Sequence, residues 1–118
     1  MKITTWNVNS INARINHLLD FIKNDKSDIY LLQELKCINE KFPYQDLEAI
    51  GYNCEVLGQK AWNGVAILSQ NKIKITNSKI PTFQKDVNSR FLETEISIPS
   101  IKKKIKLINI YLPNGNPI

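Results

Sequence analysis

The sequence predicts an α/β domain built on a mixed, largely antiparallel sheet with helices on one face. Three observations predict it. A strand, helix, strand succession over residues 2–33 requires a crossover, and hence two parallel strands. A later series of short alternating runs separated by turn residues is the pattern of antiparallel hairpins. The run Ile29 to Gln33 reads as a buried strand and breaks off at Glu34, followed closely by Lys36. Side chains at the carboxyl ends of strands in an open sheet face a crevice, which makes Glu34 the first candidate for a metal ligand or general base. A strand that simply reaches solvent ends in the same way.

The first strand alternates over Lys2 to Val8, with Ile3, Thr5 and Asn7 on one face and Thr4, Trp6 and Val8 on the other. Ser10 is placed to cap a helix whose apolar positions Ile11, Ile15, Leu18, Leu19 and Ile22 follow the 3.6-residue period, closed by positive charge from Lys23 to Lys26. A right-handed crossover then brings Asn7 and Glu34 to the same sheet edge. His17, the only histidine, sits beside the apolar stripe with no second ligand one turn away, and reads as a helix-surface residue.

Beyond Glu34, Pro43 opens a short helix with Leu47 and Ile50 inward and Gly51 as its stop. Tyr52 to Leu57 and Val65 to Leu68 form a hairpin around a turn over residues 58–64. Trp62 stands at its tip, where it can either wedge against a nucleic-acid backbone or fold back over the hairpin. Lys72 to Thr76 is a half-exposed strand, Pro81 to Ser89 a polar connection, and Phe91 to Ile98 a further strand preceded by Arg90. Lys102, Lys103 and Lys104 sit in the turn before the last strand, Ile105 to Tyr111, as a solvated tip or a phosphate-binding patch. Pro113, Asn114 and Gly115 make a tight turn, so that a phenol and an amide stand near one another at a strand end.

At 118 residues, with 42% hydrophobic and 23% charged side chains, the chain has the composition of one soluble globular domain. No apolar run reaches membrane-spanning length, and the N-terminus enters a strand without a hydrophobic signal core. A cytoplasmic location is the expectation. Cys37 and Cys54 lie in no metal-knuckle spacing, consistent with reduced thiols. The net charge of +5 suits a polyanion such as nucleic acid. With 14 Lys against 2 Arg, and 18 Ile and 14 Asn, the same balance follows from A/T-rich coding, and charge alone selects no partner.

Four segments taken together resemble the exodeoxyribonuclease III branch of the endonuclease/exonuclease/phosphatase superfamily: Thr5-Trp6-Asn7-Val8-Asn9, Leu32-Gln33-Glu34-Leu35-Lys36, Asn63-Gly64-Val65-Ala66-Ile67-Leu68 and Tyr111-Leu112-Pro113-Asn114-Gly115. The resemblance runs through the whole chain and spans the first half of that family's domain. It implies a four-layer α/β sandwich of which residues 1–118 form an N-terminal, two-layer half, contributing one of two facing sheets, with the C-terminal half absent. Ile3, Leu31 or Leu32, and Leu107 would then lie on an uncovered apolar face.

The activity implied is that of a Mg²⁺- or Mn²⁺-dependent DNA-repair nuclease acting on double-stranded DNA at 3′ ends and abasic sites. Position by position, Glu34 corresponds to a direct metal ligand. Asn7 belongs to the hydrogen-bond network beside the metal and is the second candidate ligand. Glu34, Tyr111 and Asn7 make up the catalytic group. Tyr111 and Asn114 are implied to contact the scissile phosphate, Trp62 to lie in a DNA-touching loop, and Arg90 to contact phosphate. The chain departs from the family at Leu35 and Asn12, where Thr and Arg are usual, which bears on DNA contacts of the first helix. The aspartates and histidine of the family's second half are missing from these residues, so little or no nuclease activity is expected from the chain alone. The competing expectation is a non-catalytic half-domain that pairs with a complementary chain or with itself. A third is a relative acting on phosphoinositides, sphingomyelin or RNA.

Overall fold

Strand β1 (Ile3–Asn7), helix α1 (Ile15–Asp25) and strand β2 (Ile29–Gln33) form the predicted crossover unit in a computed structural model that describes residues 1–78 and 89–112. The two strands pair in parallel, with Asn7 opposite Gln33, which places Asn7 and Glu34 at one edge. Leu18 and Ile22 of α1 are buried against the sheet. Lys26 ends the helix in the left-handed region and donates its N–H to the Ile22 carbonyl.

Ser10 does not cap α1. Its N–H donates to the Glu34 carbonyl and that of Ile11 to the Leu35 carbonyl, so the segment after β1 is held by the β2 loop and the helix begins only at Ile15. Tertiary backbone hydrogen bonds here override the local capping preference. The short helix α2 (Tyr44–Ala49) follows as expected, with Leu47 buried and Gly51 at φ +97°.

Strands β3 (Asn53–Leu57) and β4 (Val65–Ser69) form the hairpin, and β4 inserts between β2 and β3 to give the order β1-β2-β4-β3. A second, antiparallel sheet is made of β5 (Ile73–Asn77), β6 (Phe91–Ile98) and β7 (Lys103–Ile110). The chain therefore builds parts of two facing sheets, not one, and the expectation of a single sheet is corrected. Strand β4 is paired along both edges, and β5, β6 and β7 pair with one another instead of extending its sheet. Its alternation gives it two apolar faces that both require cover. Ala66 and Leu68 pack with Tyr30, Leu32, Leu18 and Ile22 on the helical side. Val65 and Ile67 pack with Ile29, Leu92, Ile96 and Ile98 between the sheets.

The uncovered face is corrected with it. Leu31 and Leu107 are partly buried against the intersheet cluster, and Leu32 is fully buried on the helical side. Ile3, by contrast, is 44% exposed on edge strand β1. Lys103 and Lys104 begin β7 instead of standing in the turn before it. The sequence-predicted connection over residues 81–88 and the turn at Pro113, Asn114 and Gly115 lie outside the described residues.

One buried amide ties the two sheets together. Asn109 of β7 is 1% exposed. Its Nδ2 donates to the carbonyls of Leu32 (2.9 Å) and Ala66 (2.8 Å), and its Oδ1 accepts from Gln33 Nε2 at 2.8 Å. Every hydrogen-bonding group of the side chain is satisfied, as burial requires. Asn109→Ala leaves Gln33 and two buried carbonyls without their donor or acceptor. We expect it to lower unfolding free energy by about 1–3 kcal/mol, read from the urea unfolding midpoint.

Candidate active site

The three strand tips meet at the Glu34 carboxylate. Asn7 Nδ2 donates to Glu34 Oε2 at 2.9 Å, and Tyr111 Oη donates to the same oxygen at 3.0 Å. Lys36 Nζ lies 3.2 Å from Oε1 and donates to Asn9 Oδ1 at 2.7 Å. The amide of Asn7 is itself oriented, because its Oδ1 accepts the Asn9 N–H at 3.0 Å. Asn7 thus turns its NH₂ toward Glu34 and its oxygen toward the backbone.

These partners fix the protonation states. The Asn7 hydrogen bond, assisted by Lys36 and Tyr111, holds the Glu34 carboxyl below its usual range against an opposing effect of burial. Partial burial and the adjacent carboxylate push the Tyr111 phenol up. At neutral pH the site therefore presents an ionised carboxylate and a protonated phenol, a negatively charged oxygen beside a hydrogen-bond donor.

Behind this layer lies a second. Gln33 Nε2 reaches Thr5 Oγ1 at 2.9 Å and Asn109 Oδ1 at 2.8 Å. Thr5, Gln33 and Asn109 each precede a site residue by one or two positions on β1, β2 and β7, so the second layer holds the three strand tips in register. Sequence reasoning assigned no role to Gln33, Asn109, Asn9 or Lys36. The available signal was a polar residue at an inward position of β7, flanked two residues away by the inward Leu107.

The loops around the site carry unusual backbone. Asn9 (φ 45°), Ser10 (80°), Glu34 (61°), Lys36 (55°), Ala61 (68°) and Asn63 (42°) all adopt the left-handed region. That conformation costs roughly 1–2 kcal/mol for an ordinary L-residue, and such residues gather at functional sites. Backbone bonds between loops hold it: Leu35 N–H donates to the Gly64 carbonyl and Lys36 N–H to that of Asn63. At Gly64, φ is +92° and a Cβ would stand 2.9 Å from Leu35 Cβ, so the close approach requires glycine.

Trp62 is 70% exposed at the tip of the β3–β4 loop and does not fold back over the hairpin. Arg90 is placed beside the site by its backbone, whose carbonyl accepts the Tyr111 N–H at 2.8 Å. The same edge is tied to it by Gly64 N–H donating to the Ser89 carbonyl. Asn114 lies outside the described residues. His17 is exposed on α1, as its position predicts. Among the described residues no group of three or more His, Cys, Asp or Glu side chains is assembled to hold a metal ion.

A helix-covered sheet facing a second sheet, with amide, carboxylate and phenol converging at one edge, defines an α/β sandwich protein with an oxygen-rich polar site. Residues 4–101 match the Endonuclease/Exonuclease/phosphatase family, and the chain belongs to that family. It is similar to exodeoxyribonuclease III of Haemophilus influenzae, at 34% identity over 98% of this chain and 42% of the relative. Among solved structures it resembles a 3′ phosphatase, NExo (D146N), from Neisseria bound to a product DNA hairpin, with TM-score 0.87 and 37% identity over 98% of this chain and 42% of that one. It also resembles an AP endonuclease from Archaeoglobus fulgidus, with TM-score 0.79 and 34% identity over 98% and 42% of the two chains. The chain spans about two-fifths of the length of these relatives.

The linkage between Glu34 and pH has a definite sign. A depressed folded-state value means that the stabilisation is present above the unfolded carboxyl value of 4.5 and is lost as pH falls through the lower folded value. Glu34→Gln should flatten that part of the acid limb, measured by urea unfolding at neutral pH and at about pH 3. It should also lower the Tyr111 phenol toward an ordinary tyrosine, seen by absorbance titration with Tyr111→Phe identifying the signal.

Proposed function

We propose that these residues form the N-terminal part of a Mg²⁺- or Mn²⁺-dependent DNA-repair nuclease, a 3′–5′ exodeoxyribonuclease and abasic-site endonuclease. The substrate is double-stranded DNA with abasic sites or 3′ ends. The observation that carries the reading is the Glu34 carboxylate, kept ionised and aimed by Asn7, Lys36 and Tyr111 at a sheet edge. Kinship with exodeoxyribonuclease III and AP endonucleases supports it.

The donor chemistry fits the metal in part. A hard, ionised carboxylate oxygen is what Mg²⁺ takes from protein, with water and phosphate filling its remaining positions. Glu34 would hold the ion. The hydrogen bonds of Asn7 suit it to orienting Glu34, since its own oxygen accepts the Asn9 N–H. When bound, the metal would offset the negative charge that builds on a phosphodiester under attack.

The chain's own residues supply the rest. Tyr111 is kept protonated and can redirect its O–H from Glu34 to a phosphate oxygen, where a donor matters most as charge develops. Lys36 balances the Glu34 charge in the absence of other cations. Trp62 offers an exposed aromatic surface for DNA, and Arg90 and Asn114 complete the set of phosphate contacts in this reading. Nothing among the described residues is placed to orient and deprotonate a water, so we expect the 118 residues alone to have little activity and to require groups from further chain.

The described surface is suited to receive that chain. Strands β1 and β7 are each paired along one side only, and Ile108 and Ile110 on β7 are 43% and 46% exposed. The same features favour the second reading, a non-catalytic half-domain joined to a complementary chain or to itself. No helix among the described residues is long and apolar enough to cross a membrane, and a cytoplasmic location is part of the proposal.

The test is cleavage of an abasic-site duplex in Mg²⁺ by the chain alone and after mixing with the C-terminal remainder of the Haemophilus relative. We expect negligible cleavage alone and cleavage on mixing, reduced about a hundredfold by Tyr111→Phe. Cleavage that is insensitive to both Glu34→Gln and Tyr111→Phe would place the chemistry elsewhere and sink the reading.

A further inference from the structure

Away from the Glu34 edge, a pocket of about 310 Å³ opens between the end of α1, the α2–β3 corner and the β4–β5 turn. Ile22, Lys23 and Lys26 line it from the first, Ile50 and Tyr52 from the second, and Gln70 from the third. Its volume is at the lower end of the range of small-ligand sites. Strand β4 runs antiparallel to β2, with Val65 opposite Gln33 and Ser69 opposite Ile29, so Gln70 stands a strand length, roughly 15 Å, from Glu34. The two places share no residue.

Charge within the pocket is of one sign. Lys23 and Lys26 lie about one helical turn apart, and neither has an ion pair among the described residues. The carboxylates on either side of Lys26 are engaged with β1 and its surroundings: Asp25 accepts from Lys2, Thr4, Ser27 and Tyr30, and Asp28 accepts the Lys2 backbone N–H. Asp20, a turn before Lys23, forms no ion pair with it. Two uncompensated ammonium groups therefore stand at one mouth, and none of the lining residues is acidic. Ile22, Ile50 and the Tyr52 ring supply apolar lining, and Gln70 an amide.

Hydrogen bonds fix the walls. Tyr52 Oη donates to the Ser27 carbonyl and accepts from Gln70 Nε2 at 3.3 Å. Gln70 N–H donates to the Asp28 carbonyl at 3.2 Å, and Tyr52 N–H to that of Leu47 at 3.2 Å. The negative end of the α1 dipole favours cations at this rim, and the Ile22 carbonyl is already taken by the Lys26 N–H. All three segments are thus held in place before any ligand arrives, which lowers the ordering cost of binding.

We infer that this pocket binds a small phosphomonoester with an apolar or aromatic body, of the nucleoside monophosphate class. Such a group carries about −1.5 to −2 charges at neutral pH, which matches two ammoniums, whereas a carboxylate or a backbone phosphodiester brings a single charge. The body lies against Ile22, Ile50 and Tyr52, and the Gln70 amide is at hand for a ring edge or hydroxyl. Nothing in this involves Glu34, Asn7 or Tyr111, so the inference stands apart from the nuclease reading.

The test is a ¹H–¹⁵N NMR titration of the 118-residue chain with adenosine 5′-monophosphate in EDTA, beside titrations with adenosine and with inorganic phosphate. The nucleotide should bind more tightly than either, moving the resonances of Lys23, Lys26, Ile50 and Gln70 and leaving those of Asn7 and Lys36 in place. Lys23→Ala with Lys26→Ala should weaken it about tenfold or more, while Lys→Arg at both positions retains binding. Gln70→Glu, at an exposed position, should weaken it as well by setting a carboxylate beside the lysines. Lys41→Ala with Lys60→Ala removes equal charge from exposed loop positions on the Glu34 side and should leave the affinity unchanged. Circular dichroism confirms that each variant is folded. Shifts confined to the Glu34 edge, equal losses in both lysine doubles, or inorganic phosphate binding as tightly as the nucleotide would each overturn the inference. Those outcomes leave cleavage at the Glu34 edge untouched, just as a failed cleavage assay leaves this titration standing.

Discussion

The Asn109 amide, sealed between the sheets, sets the geometry on which the rest depends. A buried amide must satisfy each of its groups, and Asn109 does so only where β7 crosses the Leu32–Ala66 pair with Gln33 alongside. A shift of β7 by one residue would turn Asn109 outward and exchange the faces of Leu107 and Ile108. Tyr111, two residues further along, would then point away from Glu34. Packing between Val65, Ile67, Leu92 and Ile96 supplies the attraction between the sheets but tolerates sliding; the amide does not.

From that register follows the electrostatic character of the edge. Glu34 faces donors from positions 7, 36 and 111, carried by three segments that meet only in the folded state. An opposite arrangement appears at the far rim, where Asp25 accepts hydrogen bonds from Lys2, Ser27 and Tyr30. Those hydrogen bonds, that of Lys2 first, hold the Asp25 carboxyl well below its usual range. The two clusters differ in what surrounds them. The Asp25 network joins the starts of β1 and β2 to the end of α1 within regular backbone and an αL helix cap. The Glu34 cluster sits among six non-glycine residues in the left-handed region, held by bonds between loops. Six left-handed non-glycine residues gather at the Glu34 rim against Lys26 alone at the other, the kind of clustering found at functional sites.

The site is also asymmetric in its supply of groups. Among the described residues it gathers one carboxylate, one phenol and the Lys36 ammonium. Among the described residues β1, β3, β5 and β7 are edge strands, and two of them, β1 and β7, carry Asn7 and lead to Tyr111.

Much of this was written in local sequence. Alternation and helical period located β2, β6 and α2, and the crossover between β1 and β2 obliged Asn7 and Glu34 to share an edge. The apolar alternation of β4 stated that both its faces would be covered, but not by what. Ser10 looked like a helix cap because capping is judged from neighbours in sequence, while the carbonyls of Glu34 and Leu35 that claim the adjoining N–H groups come from another loop. Strand pattern, helix period and the polar strand tips were thus determined by the sequence itself, since they depend on residues a few positions apart. The division into two sheets, the meeting of Tyr111 with Glu34 and the basic pocket at the end of α1 were decided only by tertiary structure, because each joins groups whose separation along the chain carries no local signal.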